Sequence, residues 1–170
     1  LYGQAIERSA HAVDLYLASF GPDDERTLLA RNQRALSYLY DGRLDEAAAE
    51  YEAVVDIGTR TLGRTSEPTL AAMNGLAMTY VDLARLPEAR ALLEATAPLM
   101  DATMGPEHEH TLEVRNNLGW TLYVMKDYEA AERIIAPNLE VQRRVLGPEA
   151  VPTLTSLNNL ALIYKATGRY

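Results

Sequence analysis

No cysteine occurs among the 170 residues, which excludes disulfides, thiolate metal sites and cysteine nucleophiles and fits a reducing, cytoplasmic setting. No stretch approaches the ~18 uncharged apolar residues that a membrane span needs, and no basic-then-apolar leader opens the chain. Lysine is nearly absent as well: of the 16 basic residues only Lys126 and Lys165 are lysine, an arginine bias that codon usage associates with a GC-rich, bacterial genome. Against those 16 stand 24 acidic residues, a net charge of -8. That excess repels a nucleic-acid backbone, so neither nucleic acid nor membrane is an expected partner.

What the chain does have is a period. A Thr-Leu pair recurs every 42 residues, at Thr27-Leu28, Thr69-Leu70, Thr111-Leu112 and Thr153-Leu154. Asn32, Asn74, Asn116 and Asn158 stand five residues after each Thr, and Gly21, Gly63, Gly105 and Gly147 stand six before. Three residue types sharing one period in four copies mark an internal repeat.

Within a period the apolar residues step by three and four, as in Leu70, Met73, Leu76, Ala77 and Tyr80. Each unit therefore opens with a helix. Breaks follow at Asp41-Gly42-Arg43, Ala84-Arg85-Leu86, Lys126-Asp127 and Thr167-Gly168-Arg169. A second helix then runs to the recurring glycine, which suits a helix C-terminal position and is followed by Pro22, Pro106 and Pro148 in three copies. Pro98 and Pro137 fall inside second helices and predict bends there, whereas Pro87 falls in a first turn, where proline is tolerated.

Tyr2 lies three periods before Tyr128, so residues 1–21 read as a second helix without its first. Residues 22–63, 64–105 and 106–147 read as full hairpins, and 148–170 as a first helix without its partner. The expected fold is an all-α solenoid of eight helices in antiparallel hairpins. Neither end reads as the polar cap that closes such an array, so the chain is expected to be a segment of a longer array.

The string Thr153-Leu154-Thr155-Ser156-Leu157-Asn158-Asn159-Leu160-Ala161-Leu162-Ile163-Tyr164, with Gly168-Arg169-Tyr170 after it, resembles the 42-residue tetratricopeptide repeats of kinesin light chains and their bacterial relatives. Small residues at Ala77, Gly119 and Ala161 match the positions where helices approach closely, answered by Ala47, Ala89 and Ala131. The resemblance implies a right-handed superhelix whose first helices line a concave groove. Arg34 departs from the pattern, since Leu76, Leu118 and Leu160 occupy that position elsewhere, and local packing there is expected to differ.

Projecting this register places Asn32, Leu36, Tyr40, Asn74, Met78, Asn116, Trp120, Tyr123, Asn158 and Lys165 in the groove. An amide can both donate to and accept from a peptide main chain, and Trp, Tyr and Met supply adaptable pockets. Each Asn equally suits a bond that aligns neighbouring repeats. Trp120 lies off the face of Leu118 and Leu122, which favours groove exposure. The groove has few basic residues for the acidic, Trp-bearing peptides that kinesin light chain grooves bind, and it lacks the Lys, Asn and Arg run that clamps a C-terminal carboxylate.

No catalytic constellation emerges: the acidic residues spread over helix surfaces and no glycine-rich phosphate loop is present. Glu107-His108-Glu109-His110 superficially resembles a metal cluster, but in a short connection it reads as solvated and capping. The expected function is a non-enzymatic scaffold without cofactor or metal, binding a peptide or helix of a partner protein. Two alternatives are a regulatory or sensor arm of a signalling ATPase, kinase or transcription regulator, and self-association into a homo-oligomer through uncapped ends.

Overall fold

The computed structural model describes residues 2–169; Leu1 and Tyr170 lie outside the described residues, as does the side chain of Tyr2, the residue three periods before Tyr128. All the described elements are helices: α1 (Tyr2–Phe20), α2 (Glu25–Tyr40), α3 (Leu44–Thr61), α4 (Glu67–Asp82), α5 (Leu86–Met104), α6 (Glu109–Val124), α7 (Tyr128–Val145) and α8 (Val151–Ala166). The expected breaks fall between two of them or directly after the last, except that Leu86 already opens α5. The helices group into two compact units, Leu1–Arg85 and Leu86–Tyr170.

In the first unit α1, α2, α3 and α4 each pack on the next in sequence, and α2 also meets α4; α5 to α8 repeat this arrangement in the second unit, with α6 meeting α8. First helices thus stack on first helices. Second helices of one unit, α1 and α3 or α5 and α7, make no backbone approach to each other among the described residues.

The recurring residues hold the turns. Thr27 Oγ1 donates to the Gly21 carbonyl at 2.8 Å, and Thr153 Oγ1 does the same to Gly147 at 2.8 Å, so in these two copies the six-residue Gly-to-Thr spacing ties the first helix to the end of the preceding second helix. Gly105 reaches a φ of +98° at the end of α5, a conformation costly for any residue with a Cβ. At the hairpin turns a backbone amide reaches back five residues, from Arg43 to Tyr38, Arg85 to Tyr80, Asp127 to Leu122 and Arg169 to Tyr164, at 2.8–2.9 Å. In three of these turns the same arginine lies over the same tyrosine ring, at 4.5, 4.0 and 4.9 Å.

Close approaches explain the small residues. A Cβ on Gly119 of α6 would collide with Ile135 and come within 3.5 Å of the Ala131 carbonyl of α7. Ala35, Ala77, Ala47 and Ala131 are fully buried. Arg34, the departure from the pattern, joins an ion cluster: Glu50 of α3 accepts from Arg34 Nη2 at 2.6 Å and from Arg31 Nε at 2.7 Å. Pro98 and Pro137 lie inside α5 and α7, both of which continue as helices through them. Pro87 lies in the first turn of α5. His108 caps α6, its Nδ1 accepting from the His110 amide at 3.3 Å.

Candidate functional site

The residues projected onto the groove lie on the first helices, and each unit presents its own first-helix face. In the second unit α6 carries Asn116, Trp120 and Tyr123 on successive turns, and α8 carries Asn158 and Lys165 at matching places one repeat later. Trp120 and Tyr123 are half-buried and stack, their ring centroids 5.2 Å apart and their planes 26° from parallel. Tyr128, in the first turn of α7, extends this cluster at 5.7 Å from Tyr123. Sequence projection missed Tyr128 because it stands on a second helix, although its place beside the turn was a usable signal. Asn158 and Lys165 are exposed.

Asn116 is turned inward. Its Oδ1 accepts from Ser156 Oγ at 2.8 Å and from Asn159 Nδ2 at 3.3 Å, all three side chains buried, so it joins α6 to α8. A buried amide of this kind needs such partners. Ser156 and Asn159 were not among the expected site residues, though the doublets Asn116-Asn117 and Asn158-Asn159 hinted at a paired role.

The first unit shows the same division of labour. Asn32 is buried and its Nδ2 donates to the Pro68 carbonyl at 2.9 Å, joining α2 to the start of α4. Leu36, Asn74 and Met78 are half-buried, while Tyr40 is 63% exposed. Asp82, at the end of this face, has its carboxyl pKa raised by partial burial. The face therefore combines an apolar floor with scattered polar groups. Among the described residues no group of three His, Asp or Glu side chains converges as a metal site, and no helix is long and apolar enough to cross a membrane.

The family profile described as tetratricopeptide repeat matches residues 26–102, 68–136 and 122–170. No curated protein matches. Among solved structures, one from Podosopora anserina, described as a kinesin light chain with nearly identical TPR-like repeats, superposes with a TM-score of 0.80 at 24% identity, over 99% of this chain and 80% of that one. A point variant of that same protein gives 0.82 at 24% identity, over 99% and 79%. BtubC (BKLC) from P. vanneervenii gives 0.85 at 22% identity, over 99% and 67%. These likenesses concern the fold, whereas the repeat profile spans nearly the whole sequence: the chain belongs to the tetratricopeptide-repeat family.

Proposed function

We propose that the chain is a non-enzymatic interaction scaffold that binds a peptide or helix of a partner protein on its first-helix faces. Tetratricopeptide repeats generally mediate contacts between proteins, and a cytoplasmic setting suits a chain with no cysteine. The observation that carries the reading is the stack of Trp120 on Tyr123. Two large rings left half-open on one helix face supply the rigid apolar anchor around which peptide sites concentrate their binding energy.

Within this reading the asparagines and Lys165 differ in role. Asn32 and Asn116, buried and bonded to the next first helix, align the repeats. Asn158 stands at the same repeat position on α8, and Lys165, exposed on that helix, meets the ligand together with the Trp120 and Tyr123 rings. Peptides selected from a random display library against the 170-residue chain test the proposal. Trp120→Ala and Tyr123→Ala are expected to weaken the selected peptides at least about tenfold, in keeping with aromatic anchors. Peptides that bind both variants as tightly as the parent overturn it.

A further inference from the structure

A second candidate site lies away from the first-helix faces. In the second unit α5 and α7 both rest on α6 with no close backbone approach to each other, and a cleft of ≈ 420 Å³ is lined by residues of all three helices. Ala97, Leu118, Ile134, Pro137 and Val141 give it apolar walls, and Arg115 and Arg133 stand at its edge. The volume falls within the range of roughly 300–1,000 Å³ typical of small-molecule sites. Apolar walls with a few fixed polar groups are the usual make-up of such a site.

The charges at the rim point to the ligand. Arg133 pairs with Glu129 at 3.1 Å, but the two side chains are 68% and 85% exposed, and a pair so open to water is readily exchanged. Arg115 holds Asp101 at 2.7 Å and the Pro106 carbonyl at 3.0 Å. Each guanidinium is already engaged by a carboxylate of the chain, the planar partner it matches best.

The first unit contains an internal precedent. Two repeats before Arg115, Leu118 and Ile134 stand Arg31, Arg34 and Glu50. There the position of Ile134 is taken by a carboxylate, and Arg31, at the position of Arg115, holds it through two bonds of 2.7 and 3.3 Å. The repeat can thus seat a carboxylate on an arginine in this place. In the second unit the carboxylate is missing and the space beside Ile134 is open.

We propose that the cleft between α5 and α7 binds a small apolar monocarboxylate, its hydrocarbon part against Leu118, Ile134 and Val141 and its carboxylate on Arg133, beside the Arg115 guanidinium that Asp101 fixes in place. The floor of this site is α6, through Arg115 and Leu118, and the groove residues Asn116, Trp120 and Tyr123 do not line it.

Calorimetric titration of the 170-residue chain with octanoate, and in parallel with octanol, tests the proposal. Octanoate is expected to bind at one saturable site and octanol at least about tenfold more weakly, the difference expected when a charged hydrogen-bonding group is removed. Arg133→Gln, an exposed change that leaves the core untouched, is expected to weaken octanoate by a similar factor without altering the thermal melt. Ile134→Glu reproduces the arrangement of Glu50 and is expected to abolish binding. Should that variant fail to fold, Arg133→Gln and octanol decide the matter. Failure of octanoate to saturate, equal binding of octanol, or undiminished binding by Arg133→Gln overturns the proposal.

Discussion

The ring of Tyr51, on α3, lies so close against Gly75, on α4, that a methyl group there would collide with the ring and approach its hydroxyl to 2.7 Å. Tyr51 is buried, 4% exposed, so the ring has little room to withdraw. This contact joins one hairpin to the first helix of the next. Gly75→Ala is therefore expected to destabilise the chain by about 1–3 kcal/mol as overpacking, even though alanine favours an isolated helix. Denaturant unfolding measures it; unchanged or raised stability contradicts the contact.

The four recurring threonines are not equivalent. Thr27 and Thr153 donate to a glycine carbonyl, and Thr69 pairs with Ser66 Oγ at 2.8 Å, but the buried Thr111 Oγ1 has no partner. Replacing a bonded hydroxyl by a methyl loses about 1 kcal/mol, whereas replacing an unpaired buried one removes a desolvation cost. Thr27→Val is expected to lower stability by that amount and Thr111→Val to leave it unchanged or raise it. Equal losses from both, measured by denaturant unfolding, contradict this distinction.

Two turns carry a strained residue. Ala84 and Lys126 adopt φ of +58° and +65° at the place in the repeat where the other turns have Gly42 and Gly168. A left-handed conformation costs an L-residue with a Cβ roughly 1–2 kcal/mol, which glycine avoids at some expense in unfolded-state entropy. Ala84→Gly and Lys126→Gly are each expected to raise stability by about 0.5–1 kcal/mol. Thermal melts of the single variants provide the measurement; unchanged or lowered melting temperatures contradict it.

Acid should loosen the first unit through Glu50. Burial alone pushes its carboxyl pKa up, but hydrogen bonds from Arg31 and Arg34 outweigh that and hold it below its ordinary 4.5. A lowered folded-state pKa means that the stabilisation is complete above about pH 4.5 and is lost as pH falls through the folded value. Glu50→Gln is expected to cost about 3 kcal/mol at neutral pH by leaving two arginines with no carboxylate. It should also flatten the loss of stability below pH 4.5; an unchanged acid profile contradicts the role of the cluster.

The period, the helices and their ends were legible in the sequence because they rest on local backbone demands. The Gly and the turn residues each answer a φ value or a backbone hydrogen bond that repeats every 42 residues. Arg34 illustrates the limit. Taken alone it is a charge at an apolar position, and its compensation by Glu50 emerges only when two distant repeat positions are compared together. The asparagine ladder marks another limit: one residue type at one spacing bonds a backbone carbonyl through Asn32 and two side chains through Asn116, and only the packing of neighbouring helices separates them. The cleft between α5 and α7 had no local signal, since it depends on the spacing of two helices whose backbones stay apart.

Trp120 is the chain's only tryptophan, so its indole N–H gives a single proton resonance that reports on the proposed peptide face. Titration of the chain with a library-selected peptide, followed by nuclear magnetic resonance, tests the scaffold reading most directly. That resonance is expected to move saturably, with the same dissociation constant as the peptide's overall binding. A resonance that stays in place while the peptide saturates the chain contradicts the account.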